Sequence, residues 1–221
     1  MTATDVTDTR LEIEVWSDVL CPWCYIGDAR LEAAIQDSPQ ADRIDVKIRT
    51  FQLDPDFPAE PTPVVDYLSA KKGLPVEQAR QMEDQVADLA RAEGLAYAPN
   101  HPVQNTLDML RLVHLGNEHG VGWQYMTGMQ AALFSGDPEA FAADTLVRLG
   151  TELGIPEAEI RDVLAGDRYA DAVRAEHDEA IALGARGVPF TVLDRRLGIP
   201  GAVPTEAYGQ AIAQAWEQVD A

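Results

Sequence analysis

Ser17-Asp18-Val19-Leu20-Cys21-Pro22-Trp23-Cys24-Tyr25-Ile26-Gly27 is the stretch that decides how this chain is read. It holds both cysteines of the sequence, two residues apart. Upstream, Leu11, Ile13 and Val15 alternate with Glu12 and Glu14, the period of a strand. Downstream, from Pro22, the spacing of Leu31, Ala34 and Ile35 puts them on one face of a helix. The pair therefore sits where a strand ends and a helix begins. Free N–H groups of a first helical turn, with the helix dipole, favour negative charge on the first sulfur. Cys21 is expected to be an exposed thiol of lowered pKa. Cys24, one turn on and deeper, can reach back to resolve a mixed disulfide. Pro22 lacks an N–H, which costs nothing at a first helical position.

Three other readings of the pair stay open on spacing alone. Two cysteines separated by two residues are half of a zinc site, to be completed by carboxylates or by two of His101, His114, His119 and His177. They can be inert buried thiols. Or the chemistry can use Cys21 alone.

Working outward, Ile44, Val46 and Ile48 alternate with Asp45, Lys47 and Arg49 and give a second strand. Strand, helix and strand make a βαβ unit with a right-handed crossover. The acids of the first strand and the bases of the second are placed to form a charged ladder. From Thr62 to Gly184 the pattern turns helical. Thr62-Pro63 and Asp137-Pro138 read as N-caps followed by proline at the first helical position. Apolar stripes run through Ala79, Met82, Val86, Leu89 and Ala90; through Val103, Leu107, Leu110 and His114; through Trp123, Met126, Gln130 and Leu133; and through Phe141, Thr145, Leu149 and Leu153. Gly73, Gly94, Gly154 and Gly166 stand where helices end. Strands return as Phe190 to Leu193 and Leu197 to Ile199 around Asp194-Arg195-Arg196, a hairpin, before a last helix from about Thr205.

The 221 residues carry 37 acidic and 17 basic side chains, a formal charge of −20. That charge disfavours nucleic acid and anionic membrane surfaces as partners. Two cysteines cannot build a disulfide-rich scaffold. The first ten residues are polar and acidic, unlike a secretory signal, and no run approaches the roughly 20 apolar residues of a membrane span. A soluble, cytoplasmic protein is expected, and in a reducing compartment a close cysteine pair is more often redox-active than structural.

The chain resembles the DsbA branch of the thioredoxin superfamily, and within it the FrnE-like subfamily. The match rests on Cys21-Pro22-Trp23-Cys24-Tyr25-Ile26-Gly27, Phe51-Gln52-Leu53-Asp54-Pro55, Tyr67-Leu68, Lys72-Gly73, Asn105-Thr106, Gly187-Val188-Pro189-Phe190 and Ile199-Pro200-Gly201-Ala202, in the family's order. The resemblance implies an α/β thioredoxin-like fold, βαβ then ββα, from residues 11–61 and 185–221. A large all-helical insertion would occupy 62–184, and residues 1–10 would form a disordered tail. It implies a thiol–disulfide oxidoreductase with Cys21 attacking and Cys24 resolving, acting on protein or small disulfides and thiols. Pro22, Trp23, Val188 and Pro189 would bind substrate, with Val188-Pro189 a cis turn beside the cysteines whose backbone takes an extended segment. No metal or other cofactor is implied beyond the redox pair itself, recycled by glutathione or a thioredoxin-type reductant, in a monomer or homodimer. The alternative is a glutathione-dependent kappa-class transferase or 2-hydroxychromene-2-carboxylate isomerase, which shares the fold but carries serine at the nucleophile position.

Some residues depart from the pattern or invite two readings. Met109-Leu110-Arg111-Leu112 replaces an expected Ala-His-Arg-Leu, so the pocket wall should be more apolar than usual. Pro200 and Val203 stand where serine and glutamine are expected. Trp23 is either an exposed contact for substrate or packing. Asp18 and Asp28 oppose a thiolate if close, although Asp28 reads as a solvated surface charge. Asn105, placed within a helix, either caps it or faces the site, and His114 reads as a hydrogen-bonded core residue.

Overall fold

A computed structural model of the chain describes residues 9–219. Residues 1–8 of the expected tail lie outside the described residues. Arg10, at its end, donates to the Asp45 carboxylate at 2.6 Å.

Strand β1 (Leu11–Ser17) leads into helix α1 (Pro22–Gln36) and strand β2 (Ile44–Thr50). β1 and β2 are parallel, pairing Leu11 with Ile44 through Ser17 with Thr50. The charged ladder forms along this pair, Lys47 with Glu12 and Arg49 with Glu14 at 2.6 Å. Near the chain's end, β5 (Phe190–Leu193) and β6 (Leu197–Pro200) form the expected hairpin. They complete a four-stranded sheet in the order β2-β1-β5-β6, with β5 antiparallel to β1. The hairpin turn places Asp194 and Arg195 in left-handed backbone, at φ of 48° and 51°. The Arg195 guanidinium holds that turn down by donating to Glu14 at 2.9 Å and Glu179 at 2.8 Å. Helix α9 (Thr205–Val219) packs beside α1, burying Tyr208, Ile212 and Trp216. This is the thioredoxin-like α/β arrangement the sequence implies.

Between the two halves run α2 (Val64–Lys72), α3 (Val76–Ala92), α4 (Leu107–Glu118), α5 (Gly122–Phe134), α6 (Ala143–Glu152), α7 (Glu157–Ala165) and α8 (Ala170–Ala182). This helical block also contains a two-residue antiparallel pair, β3 (Thr62–Pro63) with β4 (Pro102–Val103). Thr62-Pro63 is thus a strand and not a cap: the Val64 N–H that opens α2 donates to the His101 carbonyl instead. Asp137 likewise closes a turn, accepting from the Glu139 N–H at 2.9 Å, and α6 begins later, at Ala143. Val103 lies in β4, ahead of the helix it was grouped with.

Two stripes shift as well. In α6 the buried line is Leu146, Val147 and Gly150, with Leu149 half-buried. In α3 the buried line is Ala79, Glu83, Ala87 and Ala90, while Met82 and Leu89 are exposed. Apolar periodicity marks a face that something covers; on α3 that face is the wall of an open groove.

The sheet is covered on both sides. One face, with Leu11, Ile13 and Val15, joins the main apolar core with α1 and α9. The other face presents Trp16, Phe51, Phe190 and Val192 to α8 around Ala180. Trp16 Nε1 donates to the Glu176 carbonyl of α8 at 2.9 Å. The Glu176 side chain accepts from the Thr50 N–H at 2.6 Å, the Thr50 hydroxyl at 2.7 Å and Arg49 at 3.0 Å, with His114 Nε2 at 3.3 Å. Burial alone would push Glu176 up; His114 and Thr50 hold it below its usual range. His114 is thus the hydrogen-bonded core residue expected. None of the described helices is long and apolar enough to cross a membrane.

Candidate active site

β1 delivers the chain to Ser17, and the turn Asp18–Leu20 sets Cys21 at the N-cap of α1 with Pro22 at the first helical positions. Both cysteines are free thiols. The Cys24 N–H donates to Cys21 Sγ at 3.3 Å, so the sulfur receives one of the free donors of the first turn. The Cys21 thiol in turn reaches the Val188 carbonyl at 3.5 Å. The Val188–Pro189 peptide bond is cis. Pro189 also stands against Gly27 of α1, where a Cβ would come within 2.9 Å of Pro189 Cγ and 3.3 Å of Ala202 Cβ. Only glycine admits so close a contact between α1, the Val188–Pro189 turn and the loop after β6.

Cys21 is not exposed as expected. Its relative accessibility is 3 %, because the helical block overhangs it, and its sulfur is approached along a groove. Trp23, 45 % exposed, stands at the mouth, which favours its reading as a surface for substrate over interior packing. Cys24 is fully buried, and burial pushes its thiol well above the usual value, with the neighbouring Cys21 and the Asp28 charge adding to the effect. The two sulfurs are thus differentiated: one opens on the groove, the other faces inward.

Beneath Cys24 lies a polar cluster drawn from three elements. Asp28 of α1 is buried, not solvated, because α5 covers that face of α1. Asp28 Oδ2 accepts from the Ser17 hydroxyl of β1 and from Gln130 Nε2 of α5, each at 3.2 Å. The Ser17 hydroxyl opposes part of the upward push on the Cys24 thiol. Burial raises the Asp28 carboxyl to about 7, against the lowering effect of Gln130 and Ser17. Asp28 Oδ1 and Gln130 Oε1 are buried acceptors without a protein donor. Asp18 is buried too, raised by burial to about 6, and accepts from the Leu53 N–H at 2.8 Å to fix the loop after β2.

The groove has a volume of about 570 Å³ and runs between the cysteine turn, Val188, and the walls of α2 and α3. Met82, Val86 and Leu89 form one wall, and Phe57 stacked on Tyr67 at 4.6 Å forms another. At the rim Asp54 accepts from the Tyr67 hydroxyl at 2.9 Å and from Lys71 at 2.7 Å. Deeper in, Tyr97 stacks on Phe134 at 5.1 Å and donates its hydroxyl to Glu83 at 2.8 Å. His101 lines the groove with Nδ1 on the Ala98 carbonyl at 3.0 Å, and burial pushes its pKa below the usual value.

Several residues expected near the site are elsewhere. Met109, Leu110, Arg111 and Leu112 do not line the groove; Arg111 is buried and donates to the carbonyls of Val163, Arg168 and Gly166. The stretch packs the helical block and does not tune the pocket. Asn105 precedes α4, where its Oδ1 accepts from the Leu107 N–H and from Gln52, each at 3.0 Å. His119 pairs with Glu159, and His177 stacks on Phe51. Among the described residues no group of three or more His, Cys, Asp or Glu side chains is gathered to hold a metal. Conversely, Ser17, Gln130, Glu83 and Tyr97 enter the site without having been singled out for it. Two of them carried a signal, Glu83 as an acid among the alanines of α3 and Gln130 as a polar side chain on an otherwise apolar stripe of α5.

Residues 12–213 match the model of the DSBA-like thioredoxin domain. The chain is 41% identical to a probable DsbA oxidoreductase from Streptomyces coelicolor whose structure is solved, with a TM-score of 0.88 over 94% of this chain and 91% of that one. It is 26% identical to the uncharacterized protein YwbO of Bacillus subtilis (strain 168), over 92% of this chain and 96% of YwbO. The cytosolic disulfide reductase DsbM from Pseudomonas aeruginosa, solved with GSH, shares the fold at 22% identity and a TM-score of 0.60, over 94% of this chain and 96% of DsbM.

Proposed function

The chain belongs to the DSBA-like thioredoxin domain family, a family of thiol–disulfide redox enzymes, and from that membership we propose that Cys21 and Cys24 are its redox pair, working in the cytoplasm on disulfide and thiol substrates. The observation that carries this is the inequality of the two sulfurs. Cys21 Sγ takes the N–H of a helical first turn and opens on the groove, whereas Cys24 is sealed beside a buried acid.

In the reducing direction the Cys21 thiolate attacks one sulfur of a substrate disulfide. A Cys21–substrate bond forms, the substrate S–S bond breaks, and the leaving thiolate takes a proton. Cys24 then gives up its proton and attacks Cys21 Sγ, expelling the second substrate thiolate. Two electrons pass to the substrate and two protons end on its thiols, leaving Cys21–Cys24 as a disulfide. Asp28, with a carboxyl near neutrality and Ser17 between it and Cys24, is the acceptor for the Cys24 proton. A thiol reductant such as glutathione or a thioredoxin-type protein closes the cycle. Val188 and Pro189 hold the substrate segment beside Cys21, with Pro22 and Trp23 on its other side. The name DsbM carries, a cytosolic reductase, supports the compartment and direction by analogy of fold alone.

Cys24→Ser should accumulate a stable mixed disulfide between Cys21 and substrate, read by mass spectrometry, and Cys21→Ser should not. A Cys24→Ser protein that forms no adduct while Cys21 still titrates as a thiol would sink the assignment. A pair this unequal also disfavours glutathione chemistry through Cys21 alone, since Cys24 would then have no task.

A further inference from the structure

α3 buries the line Ala79, Glu83, Ala87 and Ala90, three of them the smallest side chain that can fill the space and one a carboxylate. Glu83 is only 6 % accessible. Its Oε2 takes the Tyr97 hydroxyl at 2.8 Å, and among the described residues no cation lies within ion-pair distance of it. The contrast with the other acid of the same groove is sharp. Asp54 at the rim has both the Tyr67 hydroxyl and Lys71. Lys72, exposed at the mouth, acts on Glu83 only through space. A buried carboxylate whose one hydrogen-bond donor is neutral and whose nearest cation acts only at a distance is costly, and burial pushes the Glu83 carboxyl above its usual range. Glu83 and Tyr97 line the same groove as Cys21. Met82, Val86, Leu89, Phe57 and Leu68 give the groove apolar walls, while the charges of Asp54, Lys71 and Lys72 stand at its rim. The volume, about 570 Å³, lies within the range of small-molecule sites.

We propose that this groove selects low-molecular-weight disulfides that carry an ammonium group on a short apolar arm, with the ammonium bound by Glu83 beside the Tyr97 hydroxyl and the disulfide presented to Cys21. The inference rests on the redox reading of Cys21 and Cys24 and names the substrate class of that same site. The binding group is a specificity determinant; the bonds made and broken are those given above, with cystamine as the disulfide and two molecules of cysteamine as products.

The test uses the reduced full-length protein and two probes of similar size, cystamine and 2-hydroxyethyl disulfide. Loss of enzyme thiols is followed in 1 M KCl, where the Debye length of about 3 Å screens the overall charge. Each rate is divided by the rate of the same disulfide with free 2-mercaptoethanol, which removes intrinsic electrophilicity. The normalised ratio, cystamine over hydroxyethyl disulfide, is expected to be about ten or more in the wild type, the worth of one ion pair held out of water. In Glu83→Gln, which keeps the acceptor for Tyr97 and removes the charge, it should fall to about one to two on the same scale. Asp171→Asn, which removes an exposed acid on α8, should leave the ratio as in the wild type. A wild-type ratio near one overturns the proposal without any variant, and so does a ratio that survives in Glu83→Gln. Insulin oxidising the enzyme faster than cystamine overturns the small-molecule assignment. If no disulfide oxidises the thiols, the redox reading itself fails and takes this inference with it.

Discussion

Asp28 shows how a single side chain changes meaning between sequence and structure. Four residues after Cys24 on a helix, it reads as a surface charge; beneath α5 it is a buried acid with a carboxyl raised to about 7. Its proton is bound more tightly in the folded chain than in the unfolded one. Stability from this group is therefore present in full below the ordinary carboxylate range, and is lost as pH rises toward 7. Asp28→Asn should gain stability over the wild type at pH 8, by up to about 4 kcal/mol, and gain little at pH 4. Urea midpoints of both proteins at the two pH values, under a thiol reductant, measure this. The same substitution removes the acceptor for the Cys24 proton. Decay of the mixed disulfide should slow by on the order of 100-fold, and its pH dependence near 7 should vanish. Rapid-quench mass spectrometry of the adduct reads both; an unchanged decay would assign the proton to another acceptor.

Two contacts between elements decide whether the site exists at all. α1 meets the Val188–Pro189 turn through Gly27, with 2.9 Å left for a Cβ that is not there. Gly27→Ala must push the helix and the turn apart. A cost of about 1–3 kcal/mol is expected, with a fall of about 2–4 °C in thermal midpoint for each kcal/mol. Disulfide turnover should drop alongside, since Cys21 and Val188 ride on the two displaced pieces. α8 is fastened to the opposite face of the sheet by Glu176, which gathers Thr50, Arg49 and His114. Glu176→Ala leaves the Thr50 N–H and hydroxyl without their acceptor, while Arg49 keeps Glu14, and should cost about 2–3 kcal/mol, seen as a lower urea midpoint at unchanged slope. A loss below about 1 kcal/mol would mean that water replaces the carboxylate and that α8 is held by packing. The sequence announced the strands, the hairpin and the final helix, because alternation and turn residues are written in neighbouring positions. It misplaced the starts of α2, α4 and α6; at α2 the reason is that the His101 carbonyl, which takes the Val64 N–H, arrives from a separate segment of chain.

Over the whole molecule, the charge of −20 sets the field in which substrates arrive. Below about 0.01 M salt, where the Debye length is about 30 Å, the anionic disulfide of glutathione should react slowly with Cys21 and cystamine quickly. Raising salt should bring the two rates together, down to the residual preference that Glu83 maintains. Rates that ignore salt would reduce the excess acid to a matter of solubility. What the sequence determined by itself was the family, the sheet order's ingredients, the two cysteines at a helix start and the Val188-Pro189 turn. Each of these is a local pattern whose physics acts within one or two turns of chain. The tertiary structure alone decided that Cys21 lies under an overhang, that Asp28 is a buried acid fed by Gln130 from 102 residues away, and that Met82, Val86 and Leu89 wall a groove instead of a core. Desolvation is the reason: the charge state of a carboxyl, the reach of a thiol and the fate of an apolar stripe depend on which distant element excludes water from them.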